Sequence, residues 1–171
     1  VSQVPFRNRS LLDRAKTNYS ADITKYYLQI PAEIAPKLRK YTQDLVVNSS
    51  QIQVGKSTEP LTNNYDRALF LAQYLKQHYH LPQDPLGLDR VPDGGDLASW
   101  FLFRCEGKST SCEAGGYADH FATTYTMMLR SIGIPARLIV GFDSGRFNPF
   151  TGFYEVSNTD AHALTEVYFP D

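Results

Sequence analysis

Net charge and long apolar runs are both scarce in this sequence. The 171 residues carry 17 basic and 18 acidic side chains, a formal net charge of -1. The chain therefore lacks the positive field with which proteins attract nucleic acid or anionic lipid. No apolar run approaches the roughly 18 residues of a membrane-spanning helix, and the N-terminus does not have the layout of a signal peptide. We expect a soluble chain without a nucleic-acid partner.

What the sequence does contain is enough apolar material for one globular domain. Hydrophobic residues make up 42% of the chain and aromatic residues 13%, and the length lies in the usual single-domain range. Val1 is not a start methionine and Asp171 directly follows a strand-like run, so we expect both ends to be cut from a longer protein. Residues 1–26 show no sustained period and predict an arm or a remnant of a preceding segment. Residues 27–171 predict the core domain, truncated at its C-terminus.

Helical periodicity dominates up to residue 135. The segments predicted as helices are 31–46, 63–82, 96–103 and 115–135. Polar residues 48–61 and the Pro- and Gly-rich residues 80–95 are predicted as irregular connections. In the last helix the apolar residues share one face, and Gly133 followed by Pro135 supplies a stop. We expect this helix to be central and buried.

After the central helix the apolar period changes to two. Residues 136–142, 152–157 and 161–169 predict three strands. Turn-forming residues between successive strands predict an antiparallel meander. Helices followed by strands predict an α+β domain, in which the central helix packs on a C-terminal antiparallel sheet.

The most specific pattern in the chain begins at the start of the central helix. Residues 115–123 read Gly-Gly-Tyr-Ala-Asp-His-Phe-Ala-Thr, and residues 133–137 read Gly-Ile-Pro-Ala-Arg. Further on, residues 160–168 read Asp-Ala-His-Ala-Leu-Thr-Glu-Val-Tyr. These motifs together resemble the bacterial transglutaminase-like superfamily, a group of cysteine enzymes with a papain-like fold that also occurs in membrane-anchored bacterial proteins.

The resemblance implies an acyltransferase or protease with a Cys-His-Asp triad. Such an enzyme forms a thioester with a protein or peptide amide and passes the acyl group to an amine or to water. By position, the nucleophilic cysteine corresponds to Ala118, and the catalytic general base and acid corresponds to His162. The third acid of the family corresponds to a position beyond the chain. The resemblance implies no cofactor and no metal, and it favours an extracytoplasmic location.

The chemistry of such a site depends on the position that Ala118 occupies. A thiolate at a helix N-terminus is stabilised by unpaired backbone N–H groups and by a neighbouring imidazolium. The histidine then protonates the leaving amine and deprotonates the attacking amine or water. An alanine supplies no nucleophile, so we expect the chain as written to be inert. Two interpretations stay open: an engineered inactivating substitution, and a natural pseudoenzyme acting as a peptide-binding or scaffold module.

Aromatic residues and further histidines form a second group of candidates. Tyr117, Phe147 and Tyr154 are predicted as a rim that contacts substrate, with hairpin packing as the alternative for the latter two. His78 and His80 lie one residue apart at a helix end, which is poor spacing for a metal pair. We expect no metal site there.

The remaining candidates are carboxylates, thiols and one more histidine. A carboxylate-based hydrolase would use residues such as Asp93, Asp96 and Glu113, which the sequence does not pair. The two cysteines, at positions 105 and 112, precede the central helix, so we interpret them as structural or incidental thiols rather than substitute nucleophiles. A disulfide between them is feasible but not required. The histidine at position 120 is predicted to face a neighbouring loop rather than to act in catalysis.

Overall fold

A computed structural model describes residues 8–82, 90–107 and 115–170. The helices are α1 (Arg9–Leu12), α2 (Ala21–Tyr27), α3 (Ala35–Ser49), α4 (Asn64–His78), α5 (Leu97–Phe103) and α6 (Ala118–Ser131). The strands are β1 (Gln51–Val54), β2 (Ser57–Pro60), β3 (Ala136–Phe142), β4 (Arg146–Asn148), β5 (Phe153–Glu155) and β6 (Ala161–Val167). The predicted α+β class is confirmed, with a helical part followed by antiparallel strands.

Local capping explains where several helices begin. The Asn63 side chain accepts a hydrogen bond from the Asp66 backbone N–H at 2.8 Å, which starts α4 as predicted. The Asp96 side chain accepts from the Ser99 N–H at 2.7 Å and starts α5 in the same way. At the other end of the helical part, Gly133 adopts a φ of +82 and ends α6. Each predicted helix is therefore present, with bounds that differ by a few residues.

Helix α6 lies at the centre of the molecule, as predicted. It packs against α3, α4 and α5 on one side and against β3 and β6 on the other. Met128 and Leu129 of this helix are fully buried, together with Leu71 of α4 and Phe101 of α5. The position of Ala118 at the first residue of α6 is thus fixed by a helix that is held from several directions. Among the described residues, none of the helices is long and apolar enough to cross a bilayer.

The predicted antiparallel meander is wrong. Strand β3 pairs directly with β6, from Ala136 opposite Val167 to Phe142 opposite Ala161. Residues 146–155 instead fold back on themselves as the separate hairpin β4–β5. The physical reason is Gly145, whose φ of +68 turns the chain out of the sheet before the predicted second strand. The turn at 148–152 then closes the hairpin rather than linking β3 to its neighbour.

One segment predicted to be irregular, and the predicted N-terminal arm, contain regular structure. The polar connection at 48–61 forms the hairpin β1–β2 around Gly55, with Ile52 buried. Strands of four residues are too short for their period of two to stand out in the sequence. The predicted N-terminal arm contains α1 and most of α2, and Arg9 ties it to the domain by hydrogen bonding Glu59 at 2.5 Å. A contact between residues so far apart along the chain cannot be recognised from the local sequence pattern.

A pair of threonines joins β6 to α6. The Thr165 hydroxyl donates to the Ala122 carbonyl at 2.8 Å, and it lies 3.0 Å from the hydroxyl of the buried Thr126. The strand that carries His162 is therefore locked to the helix that carries Ala118 by side-chain hydrogen bonds as well as by apolar packing.

The substitution Thr165→Val is expected to lower the free energy of unfolding by about 1–2 kcal/mol. Valine has nearly the same shape but leaves the Thr126 hydroxyl without this buried partner. Urea denaturation followed by circular dichroism measures the change. Thr58→Val, on exposed strand β2, serves as the control and should stay within about 0.5 kcal/mol of the unaltered chain. Equal losses in the two variants would contradict the role given to the threonine pair.

Candidate active site

The start of α6 is held by a backbone-to-histidine hydrogen bond. Tyr117 precedes the helix in an extended conformation, and its N–H donates to Nδ1 of His120 at 3.0 Å. This bond places the proton of a neutral His120 ring on Nε2. The ring also packs against Trp100 at 5.6 Å between centroids. His120 thus caps the helix. The same Nδ1 atom lies 3.1 Å from the Asp119 carboxylate. Because Nδ1 accepts the Tyr117 N–H, it has no proton to donate to that carboxylate.

The two glycines before Tyr117 allow a second chain segment to approach the helix start. Gly115 forms a parallel bridge with His80, and the Gly116 N–H donates to the His80 carbonyl at 3.0 Å. A Cβ atom on Gly115 would lie 1.9 Å from that carbonyl oxygen. Only glycine fits there without moving the backbone. The segment around His80 is therefore held against the start of α6.

A cavity of about 610 Å³ opens beside Ala118. Ala118 itself is exposed, so the position predicted to correspond to the nucleophile is accessible to solvent. The residues around the cavity come from α4, the segment after it, α6 and β6: Ala72, Leu75, Lys76, Tyr79, His80, Leu81, Ala118, Phe121, Ala122, Tyr125, Ala163, Leu164 and Thr165. The wall is mainly apolar, with Lys76 and His80 as its basic side chains.

The hydroxyl groups of this wall are already engaged. The Tyr125 hydroxyl donates to the Ala68 carbonyl at 2.8 Å, and burial raises the pKa of Tyr125, which keeps that hydroxyl neutral. The Thr165 hydroxyl is bound to α6, as described above. The lining residues include neither a thiol nor a carboxylate. None of the described groups around the cavity therefore offers a thiol or carboxylate as a nucleophile.

His162 lies on β6, next to Ala163, which lines the cavity. Its side chain is 31% exposed, and its Nδ1 atom is 3.4 Å from the Asp160 carbonyl and 3.6 Å from Oδ1 of Asp143. Strand β6 packs on α6, but His162 itself is not among the described residues that line the cavity beside Ala118. Sequence reasoning did not identify Asp143, because its proximity depends on the β3–β6 pairing.

The residues predicted as a substrate rim occupy two separate elements. Tyr117 is half-buried at the cap of α6. Phe147 and Tyr154 are cross-strand neighbours in the β4–β5 hairpin, with ring centroids 5.3 Å apart, and both are exposed. None of the three is among the described residues that line the cavity. Their contact with a substrate stays a prediction.

The structure gives several other candidates ordinary roles. Asp96 caps α5, which commits its carboxylate to a backbone N–H, and Asp93 is exposed. Nδ1 of His78 lies 2.9 Å from the Tyr74 carbonyl, and its ring stacks on that tyrosine. Among the described residues, no group of three or more His, Cys, Asp or Glu side chains could hold a metal ion.

The two cysteines are only partly covered by the structure. Cys105, which follows α5, is disulfide-bonded and so is not available as a nucleophile. Cys112 and the candidate carboxylate Glu113 lie outside the described residues.

The fold and the helix start define a class of cysteine enzyme. The chain belongs to the transglutaminase-like superfamily, whose family model matches residues 52–171. It is 45% identical to protein YebA of Bacillus subtilis (strain 168) over 149 residues, which cover 85% of this chain. It is 30% identical to the protein-glutamine gamma-glutamyltransferase of Pseudomonas aeruginosa over 119 residues, which cover 61% of this chain.

A solved structure shows the same fold. The periplasmic domain of TgpA from Pseudomonas aeruginosa superposes with a TM-score of 0.63 at 22% identity, over 90% of this chain and 45% of that domain. The chain spans only 17% of the length of each of the two sequence relatives. The comparison therefore concerns one domain of much longer proteins.

Proposed function

We propose that this chain is a polypeptide-binding domain built on the transglutaminase-like catalytic architecture, with Ala118 in the place of the nucleophile. It holds an amide-containing segment at the cavity beside the start of α6 and does not form a thioester. The observation that carries this proposal is the position of Ala118: exposed, at the first residue of the central helix, and at the edge of a 610 Å³ cavity.

The same architecture supports acyl transfer once a thiol stands at position 118. The thiolate would attack the carbonyl carbon of a glutamine side chain, and the C–N bond would break as His162, protonated, gives its proton to the departing ammonia. A primary amine or water would then attack the thioester, give a proton to His162 and release the thiolate. We propose a glutamine side chain as the acyl donor because the Pseudomonas aeruginosa relative is a protein-glutamine gamma-glutamyltransferase.

The proposed setting of the domain is outside the cytoplasm. The TgpA domain that shares its fold is periplasmic, and Cys105 is disulfide-bonded, a state favoured in oxidising compartments. A membrane anchor in the parent protein is part of this proposal. The partner of the domain is then a protein or peptide exposed in the same compartment.

Two assays on the unaltered chain test the proposal. Incubation with a glutamine-containing peptide and a labelled primary amine should give neither amine incorporation nor release of ammonia. Fluorescence anisotropy of the same peptide, carrying a dye, should show saturable binding. Turnover by the unaltered chain would contradict the assignment of Ala118 as the missing nucleophile. Reading codon 118 in the parent gene distinguishes a natural pseudoenzyme from an engineered variant.

A bulky side chain at position 118 should block that binding. Ala118→Trp is expected to weaken the peptide affinity by about tenfold or more, since steric exclusion from one contact position is worth at least about 1.4 kcal/mol. The control is Ala32→Trp, which adds the same ring at an exposed position before α3. If both variants bind the peptide as the unaltered chain does, the ligand lies elsewhere.

A further inference from the structure

Among the described residues, the carboxylate closest to His162 follows the end of the paired strand β3. Asp143 directly follows β3, and its N–H donates to the Asp160 carbonyl at 2.9 Å. This hydrogen bond extends the β3–β6 ladder by one step beyond the pair Phe142 and Ala161. It fixes the backbone of Asp143 beside the start of β6 and brings its Oδ1 to 3.6 Å from Nδ1 of His162.

The other carboxylate near His162 is committed to a different partner. Oδ2 of Asp160 accepts from the Ser157 backbone N–H at 2.7 Å and from the Ser157 hydroxyl at 3.1 Å. These bonds hold the 3-10 turn at Asn158–Asp160. Only the backbone carbonyl of Asp160 faces Nδ1 of His162, at 3.4 Å. Asp143 is therefore the carboxylate that can act on the imidazole.

We propose that Asp143 is a positioning residue of His162. With the Asp160 carbonyl, it favours the tautomer of His162 that carries its proton on Nδ1. That tautomer leaves Nε2 free to accept a proton from a nucleophile. The acid of a Ser-His-Asp triad holds its histidine in the same tautomer. The catalytic meaning of this arrangement rests on the function proposed above, but the tautomer itself does not.

The electrostatic part of this effect is modest because the Asp143 side chain is 78% exposed. Solvent and salt screen an exposed charge pair, so the carboxylate biases the ring rather than clamping it. The backbone carbonyl of Asp160 is not screened in the same way. Removal of the Asp143 charge should therefore weaken the preference for the Nδ1–H tautomer without abolishing it.

Long-range proton–nitrogen NMR of the His162 ring tests the inference on the unaltered chain. The Nδ1–H tautomer should predominate in the neutral ring, and its fraction should fall in Asp143→Ala. Asp143→Glu should restore it. The control is Asp44→Ala, which removes an exposed carboxylate paired with Lys40 on α3 and should leave the ring signals unchanged. An unchanged tautomer fraction in Asp143→Ala would overturn the inference.

A kinetic test in the Ala118→Cys background adds the functional readout. Asp143→Asn should lower kcat for amine incorporation about twofold to fivefold at low ionic strength, the range of an exposed ion pair, with KM unchanged. The difference should shrink in about 0.5 M salt. Asp44→Asn is the matched control. A deficit unaffected by salt would contradict an electrostatic role. If Ala118→Cys has no activity, the acyl-transfer part of the proposed function fails, and the NMR result still decides the role of Asp143.

Discussion

The substitution Ala118→Cys is expected to produce a thiol that iodoacetamide alkylates about tenfold faster at about pH 6 than an ordinary exposed thiol. An unperturbed thiol is only about 0.3% ionised at that pH, whereas one with a pKa near 6, within the range of helix N-termini next to a histidine, is about half ionised. The ionised fraction is thus roughly 150-fold higher. The thiolate of the more acidic thiol is, however, roughly 18-fold less nucleophilic. About tenfold remains.

The matched control is Ala21→Cys. Ala21 is also exposed and also the first residue of a helix, α2, but it is not among the residues that line the cavity beside Ala118. Tryptic digestion and mass spectrometry assign the alkylated positions. A rate at position 118 equal to that at position 21 would mean that no imidazole assists the thiol. Adding His162→Ala to Ala118→Cys should also reduce the rate to the value of the control.

The same variant should gain turnover. Amine incorporation into a glutamine-containing peptide is expected to rise by at least about 10³ over the unaltered chain, because removal of a nucleophile typically costs several orders of magnitude. His162→Ala in that background should then lower the rate by about 10²–10⁴, the contribution of general acid–base catalysis. A variant that is alkylated quickly but has no turnover would mean that the site activates a thiol but does not support acyl transfer.

The second large effect is expected for Gly115→Ala, which should lower the free energy of unfolding by about 2–4 kcal/mol. The new methyl group would lie 1.9 Å from the His80 carbonyl oxygen. Both partners are backbone, so neither can move aside by a change of rotamer. The bridge between the two segments must open, which exposes the start of α6 and loses a backbone hydrogen bond. Thermal and urea denaturation measure the loss.

Gly141→Ala provides the control for that experiment. Gly141 lies in β3 opposite His162, and a Cβ atom there would meet nothing within 4 Å. Its replacement should be neutral or stabilising by up to about 1 kcal/mol, because alanine restricts the unfolded chain more than glycine does. Similar losses in both variants would mean that the cost comes from glycine replacement in general and not from the approach of His80.

Local features of the fold could be predicted from the sequence, and non-local pairings could not. The N-cap at Asn63 and the stop at Gly133 act within one or two turns of a helix, so the residue pattern records them directly. The pairing of β3 with β6 joins segments separated by an entire hairpin. The alternation of apolar and polar residues in a strand does not indicate which other strand it pairs with. Sequence alone therefore favours the simplest arrangement, a meander of consecutive strands.

The candidate site divides in the same way. Ala118 could be identified because the motif around it is contiguous in sequence. The cavity beside it is bounded by α4 and by the segment at His80. From the sequence, α4 is predicted only as a core helix, and His80 is considered only as half of a poorly spaced metal-binding pair. Asp143 was missed because its contact with His162 follows from the strand register alone. The sequence motif thus predicts where the chemistry lies, and packing determines which residues surround that position.

The hydrogen bond between Asp143 and Asp160 also makes the β4–β5 hairpin an exchangeable module. The Asp143 N–H and the Asp160 carbonyl oxygen, 2.9 Å apart, close residues 144–159 into an excursion outside the paired strands that hold His162. Such an excursion can be lengthened, shortened or grafted from a relative while the helix start and β6 keep their places. Phe150 is 98% and Phe153 73% exposed on it, so this hairpin is well suited to acquire a new binding preference without rebuilding the core.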